Sequence, residues 1–203
     1  MFRTFEFIFD FAAPNGYLAH KVLPAFCEAN DATAIYVPCL LGGMMKATGN
    51  KPPMMRYADA PARLAYEQLE MKRFITAHDI SAFAMNPHFP VNSLTIMRGA
   101  VAAQNEGVFE TYADAMFAAM WEDGENLADA AVIAAVLTKA GLDAETLMAR
   151  SGDQEVKDEL IANTDHAVER GAFGVPTFFV GEELFFGKER LGQVAAALNS
   201  EDI

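Results

Sequence analysis

The sequence predicts an α/β fold whose sheet starts near the N-terminus, breaks for a long helical stretch and finishes near the C-terminus. Three observations predict it. Residues 4–11 alternate with period two, setting Phe5, Phe7, Phe9 and Phe11 against Glu6, Ile8 and Asp10. Beyond Gly171 the same period returns, with 177–180 and 184–186 bracketing Gly181-Glu182-Glu183 as a hairpin. The stretch between these ends carries helical spacing, apart from one early strand.

In order, the first strand is followed by a turn, Ala12-Ala13-Pro14-Asn15-Gly16, and by a helix from Tyr17 to about Asn30. Pro24 lies inside that helix and lacks the amide that would bond back to residue 20, so a kink is expected. Residues 33–40 make a second strand with Pro38 near its end, completing a βαβ unit. Gly42-Gly43 and residues 46–53 read as loop or a broken helix start, and 57–77 as a helix. The prolines at 87 and 90 give 78–91 an ordered, turn-rich character.

Residues 92–105 form a helix with Leu94, Met97 and Val101 on one face. In 107–121, Phe109, Tyr112, Ala113, Met116, Phe117 and Met120 make one broad apolar face, read as packing. A helix over 127–139 ends at Gly141 as its cap, and Ser151 with Gln154 resembles a capping box opening a helix through Arg170. A last helix covers roughly 188–199. The C-terminal hairpin is too small to stand alone, so it completes the sheet begun by residues 4–11.

Composition fits a folded globule: 52% hydrophobic and 21% charged residues over 203 positions, with sixteen Phe and eleven Met for the core and for adaptable apolar walls. The net charge is −13, and residues 110–159 alone carry twelve acids against Lys139, Arg150 and Lys157. Such a surface repels phosphate backbones and anionic lipids, which argues against nucleic-acid or membrane partners. The N-terminus alternates like a strand and lacks a basic flank with an apolar run, so a cytoplasmic protein without a spanning helix is expected. Cys27 and Cys39 form no CxxC pair and read as buried thiols in a reducing compartment. His20, His78 and His166 are widely spaced without the neighbours of a metal site, so no metal is expected.

Four stretches carry a resemblance: FDFAAPNGYLAHKVLP at 9–24, LLGGMMKATGNKPP at 40–53, NPHFPVNSL at 86–94 and GAFGVPTFFVGEELFFGKERL at 171–191. Together they resemble the 2-hydroxychromene-2-carboxylate isomerases, which are related to kappa-class glutathione transferases and to the DsbA-like thioredoxin superfamily. The resemblance implies a thioredoxin-like fold with a large all-helical insertion. Its thioredoxin-like domain would comprise residues 1–41 and 171–203, and 42–170 would be the mostly helical insertion with its connecting segments. It also implies a homodimer, glutathione as cofactor on the thioredoxin-like part, and a small aromatic or unsaturated keto acid between the two parts. The implied chemistry is transient addition of the glutathione thiolate to an unsaturated keto acid, rotation and elimination.

The resemblance assigns the site residues. It makes Val175-Pro176 a cis bond whose flanking backbone groups can pair with an extended peptide such as glutathione. It puts the activating serine at position 13, where this chain has Ala13, so the hydroxyl donor is absent. Loss of a hydrogen bond to a charged group costs about 1.5–3 kcal/mol, or roughly 10- to 100-fold in thiolate stabilisation. Asn15 and the amides at the start of the first helix are the remaining groups that favour a thiolate. Three accounts stay open: Asn15 compensates, Ala13 is an engineered change, or the protein binds thiols without activating them.

Glu189 and Arg190 match an acid–arginine pair for the γ-glutamyl group, with Glu where Asp is usual. Asn50 matches a ligand-binding asparagine, Lys46 is placed to pair with a carboxylate, and Phe186 takes the place of a common Trp. His88 and Asn92 are the polar groups of the expected substrate wall. A kappa-like transferase and a non-catalytic glutathione or small-ligand binding protein are the competing readings. A disulfide oxidoreductase is disfavoured because the active turn has no cysteine.

Overall fold

The computed structural model describes residues 3–200; the outermost residues of the two terminal ranges, 1–2 and 201–203, lie outside it. A row of aromatic rings organises the centre. Strand β1 (Arg3–Phe9) drives Phe5, Phe7 and Phe9 into one layer, Phe11 continues the row, and all four are almost fully buried. Phe7 stacks on Phe9 at 5.6 Å and on Phe178 at 5.4 Å, so rings from both ends of the sequence meet face to face.

The sheet has the order β2-β1-β3-β4. Strand β2 (Ala32–Pro38) runs parallel to β1 after helix α1 (Pro14–Asn30), while β3 (Thr177–Val180) lies antiparallel to β1 with Phe7 opposite Phe178. Strand β4 (Glu183–Phe186) pairs with β3 at the edge. The C-terminal hairpin thus completes the N-terminal sheet, giving a thioredoxin-like α/β fold.

Between β2 and β3 come eight helices: α2 (Leu41–Thr48), α3 (Pro53–Arg56), α4 (Pro61–Ala77), α5 (Leu94–Asn105), α6 (Phe109–Trp121), α7 (Ala130–Lys139), α8 (Ala144–Arg150) and α9 (Gln154–Glu169). A 3-10 turn (Lys188–Arg190) and helix α10 (Leu191–Leu198) end the chain. The Phe row packs with Tyr17, Leu18, Met97, Met116, Phe117 and Val194 from α1, α5, α6 and α10. The other side of the sheet, Ile8 and Phe179, packs with Met44 of α2 and Ala167 of α9. Arg170 fastens this side: its guanidinium donates to Glu6 Oε2 at 2.7 Å and to the Gly181 carbonyl at 2.8 Å, and lies 3.8 Å from the Phe179 ring centroid.

Several boundaries move for identifiable reasons. Helix α1 begins at Pro14, a favoured first helical residue, and runs through Pro24 unbroken. Gly42 and Gly43 belong to α2; a Cβ on Gly43 would sit 3.4 Å from Thr164 Cγ2, so a small residue lets α2 approach α9. The capping box at 151–154 does not form. Asp153 precedes α9, and the Ser151 hydroxyl donates back to the Met148 carbonyl at 2.8 Å, closing α8. Helix α8 was unexpected; its opening signal is Asp143, which accepts from the Thr146 amide at 3.0 Å. The hairpin turn is Gly181-Glu182, with Glu183 already in β4 and Gly181 at φ 55°.

Helices α5 and α6 meet at Gly99. A Cβ there would lie 2.1 Å from the hydroxyl of buried Tyr112, which donates to the Ile96 carbonyl at 2.8 Å. Gly99→Ala is therefore expected to destabilise the fold by about 1–3 kcal/mol through overpacking, despite the better helix propensity of alanine. Urea unfolding checks this, with a lowered midpoint at unchanged slope as the expected result.

Candidate functional site

The end of β1 is where the two halves of the site converge. Asp10, 1% exposed, turns its carboxylate inward and accepts three hydrogen bonds: Ala12 N at 2.9 Å, Leu41 N at 2.9 Å and Ser93 Oγ at 3.0 Å. Burial pushes this carboxyl above its ordinary range, against the pull of those three donors. Its carbonyl also accepts from Ala13 N at 3.0 Å, so the turn before α1 is fixed by both ends of one residue. Trp121 Nε1 holds the next carbonyl, that of Phe11, at 2.8 Å.

That turn delivers Ala13 as the residue capping α1. It has no side-chain hydrogen bond to offer, and its carbonyl accepts from Gly16 N at 2.9 Å and Tyr17 N at 3.2 Å. The Asn15 N–H has no partner among the described residues, as the geometry of a helix start dictates. Asn15 Oδ1 is buried and also unpartnered. Exchange of the two ends of this side-chain amide converts a lone acceptor into a donor at the same place.

The Ala13 methyl packs in a small apolar cluster with Ile8, Cys39, Met44 and Val175. Val175-Pro176 is cis, and neither the amide nor the carbonyl of Val175 has a partner among the described residues. The next carbonyl, that of Pro176, accepts from Gly187 N at 2.9 Å, which draws the Lys188–Arg190 turn alongside. Lys188 is 4% exposed, pairs with the Glu189 carboxylate and lies 5.1 Å from the Phe74 ring centroid. Arg190 is exposed.

Asn50 follows Gly49, whose φ of 69° ends α2 in the left-handed region. Its Nδ2 donates to the Phe173 carbonyl at 2.7 Å, and its Oδ1 accepts from Lys51 N at 2.8 Å. Phe186 packs on Phe173 with centroids 4.5 Å apart and crowds Gly174, where a Cβ would lie 3.1 Å from the ring. Ala13 and Val175 thus share one apolar cluster, while Asn50, Phe186 and the turn that carries Glu189 and Arg190 meet the backbone of residues 173–176. Lys46 is exposed one turn before Asn50.

His88 and Asn92 lie on the segment that leads to Ser93. Asn86, 4% exposed, pins it by donating to the carbonyls of Met120 at 2.9 Å and Glu125 at 2.8 Å, and its Oδ1 accepts from His88 N at 2.7 Å. Phe89-Pro90 is a second cis bond in this segment. The His88 ring is exposed, and Asn92 Oδ1 accepts from Leu94 N at 3.0 Å, which opens α5. Sequence reading missed Asp10, Asn86, Ser93 and Lys188 as positioning groups. Asp10 had a signal, an acid at a strand end immediately before a turn; the buried state of Lys188 had none.

Neither cysteine supplies a reactive thiol at this site. Cys39 is buried, donates to the Asn163 carbonyl at 3.4 Å, and burial pushes its thiol well above the ordinary range. Among the described residues no cluster of three metal-ligating side chains occurs, and no helix is long and apolar enough to cross a membrane. A groove of about 510 Å³ lies between α6 and α7 and is bordered by none of the site residues.

Comparison with known proteins gives a consistent relationship. The family described as DSBA-like thioredoxin domain matches residues 4–199. A 2-hydroxychromene-2-carboxylate isomerase of Pseudomonas putida is 29% identical over 198 residues, covering 95% of this chain and 93% of its own. Glutathione S-transferase kappa 1 of Homo sapiens is 25% identical over 217 residues, covering 98% and 92%. A solved structure of selenomethionyl 2-hydroxychromene-2-carboxylate isomerase superposes with a TM-score of 0.82 at 27% identity, covering 96% of this chain and 94% of that one.

The Asp10 junction yields a direct test. Asn at this position keeps one acceptor oxygen and sets an NH₂ donor against another donor. Asp10→Asn is expected to cost about 1–3 kcal/mol for the buried N–H left unpaired, and Ser93→Ala about 1 kcal/mol. Chemical denaturation of both variants measures this, and equal stability of Asp10→Asn and the parent would contradict it.

Proposed function

This chain belongs to the DSBA-like thioredoxin domain family, and from that premise we propose that it is a glutathione-dependent isomerase of the 2-hydroxychromene-2-carboxylate type. The observation that carries the reading is that Ala13, at the start of α1, and Val175, before the cis proline, belong to one small apolar cluster. The Val175 amide and carbonyl and the Asn15 N–H have no partner among the described residues. The residues fit a γ-glutamyl tripeptide. Val175 offers one donor and one acceptor to an extended backbone, in the manner of an added strand. Glu189 receives an ammonium and Arg190 a carboxylate. Lys188 holds Glu189 in position, and Asn50 holds the Phe173–Val175 backbone.

When bound, glutathione supplies a thiolate that adds reversibly to an unsaturated carbon conjugated with the keto acid. The chain's own part is electrostatic and positional. The Asn15 N–H and the α1 dipole favour negative charge at the sulfur position, without the hydroxyl that position 13 lacks. Phe186 walls the ligand beside Gly174. His88 exchanges a proton with the keto acid, Asn92 orients it, and Lys46 pairs with a carboxylate. In this reading the substrate lies between a thioredoxin-like part, 1–41 with 171–203, and the helical insertion, 42–170. The protein acts as a cytoplasmic homodimer in aromatic-compound catabolism.

A second reading, glutathione transfer to an electrophile, is favoured by the kappa 1 relatives and uses the same residues. The product separates the two. An isomerase interconverts 2-hydroxychromene-2-carboxylate and trans-o-hydroxybenzylidenepyruvate only when glutathione is present, and loses that rate in Arg190→Ala and Asn50→Ala. Accumulation of a thioether, detected by mass spectrometry, would replace isomerase with transferase; glutathione binding without turnover would leave a binding protein. Ala13→Ser is expected to lower the pKa of bound glutathione by about one to two units, read as thiolate absorbance, because a hydrogen bond to a charged group is restored. No change there would assign thiolate stabilisation to Asn15 and the α1 amides.

A further inference from the structure

Resting on the glutathione reading above, we propose that Lys188 makes the α-ammonium of the ligand dispensable. The site then takes thiols that end in a free carboxylate, with or without an amino group beside it. Lys188 is buried, and Glu189 is the one carboxylate within ion-pair reach of it among the described residues. Its Nζ also lies 5.1 Å from the Phe74 ring centroid, a weaker contact that leaves Glu189 as the charge partner. A buried ammonium without a counter-charge is costly, so the pair is held together from the protein side.

The Glu189 carboxylate is folded back over its own turn. Its Oε1 accepts from the Lys188 ammonium, and a Cβ on Gly187 would lie 3.1 Å from its Oε2. The Gly187 amide donates to the Pro176 carbonyl at 2.9 Å, so this carboxylate belongs to the turn drawn alongside the cis bond. One of its oxygens is left for a ligand, next to a cation already in place.

Charge decides what that oxygen can read. Lys188, Glu189 and Arg190 together carry +1. The γ-glutamyl end of glutathione is a zwitterion without net charge, whereas the same end lacking its amino group is a monoanion and complements +1 better. An ammonium brought to Glu189 Oε2 is attracted by the carboxylate and repelled by Lys188 at the other oxygen, so much of its gain cancels. The ligand carboxylate has its own receptor in Arg190, which is exposed and makes no ion pair among the described residues.

Calorimetry of the full chain with reduced glutathione and with glutaryl-cysteinylglycine tests this; the second peptide is the first with hydrogen in place of the α-ammonium. The parent is expected to bind the glutaryl peptide within about threefold of glutathione, or more tightly. A parent that binds glutathione more than about threefold tighter would overturn the proposal. Lys188→Met keeps the side-chain volume and removes the charge, and is expected to shift the affinity ratio toward glutathione by about three- to tenfold. A purely structural role for Lys188 would weaken both peptides alike, so a ratio that moves by less than about threefold also overturns it. Should Lys188→Met not fold, the parent ratio decides alone. Binding of neither peptide to the parent would sink the glutathione reading and this proposal together, whereas binding of both in the wrong ratio would sink this proposal only.

Discussion

One buried carboxylate fixes three remote parts of this chain to a single point. Asp10 receives donors from the turn before α1, from the first residue of α2 and from the residue that opens α5. Those three segments come from positions 12, 41 and 93, so without the Asp10 acceptor their order along the sequence would not define their meeting. A carboxylate is the fitting group because it accepts on both oxygens and donates on neither when ionised. The cost is desolvation, visible in the upward push on its own proton affinity.

The consequences run outward to the candidate site. With residues 10–13 fixed, Ala13 at the start of the first helix joins the apolar cluster that also holds Val175 and Phe179. The sheet register does the rest: Phe7 opposite Phe178 determines where residues 175–176 fall relative to the end of β1. Arg170 then ties the β3–β4 turn to Glu6. Two strands distant in sequence become neighbours in one sheet because their rings stack and their backbones pair, and each interaction supports the other.

The chemistry of position 13 follows from this geometry. Where a serine would bring a hydroxyl, the alanine leaves a methyl in an apolar cluster, and the polar groups without partners nearby in sequence are those of Asn15. Lys188 adds a point the sequence order concealed. It lies between Gly187 and Glu189 in a short turn, yet it is the lysine that is buried and Arg190 that is exposed. The acid of the pair is therefore braced from within the protein, and the guanidinium is left to face what comes from solvent.

The sequence by itself determined the strands, the main helices and the joining of the two ends, because period-two and period-three-to-four spacing of large apolar residues is a local property. The row Phe5, Phe7, Phe9, Phe11 is the plainest case. The candidate site positions were legible through the resemblance of four short stretches to a known family, since turns and their flanking residues are encoded within a few positions. Tertiary structure decided what local pattern cannot carry: that Ser151 closes α8 instead of opening α9, that Gly43 is a point of close approach to α9, and that Asn50 spends its amide on Phe173. It also decided that Asp10 is a junction. In each case the outcome depends on which distant donor or acceptor reaches a buried polar atom, and burial is a property of the assembled chain.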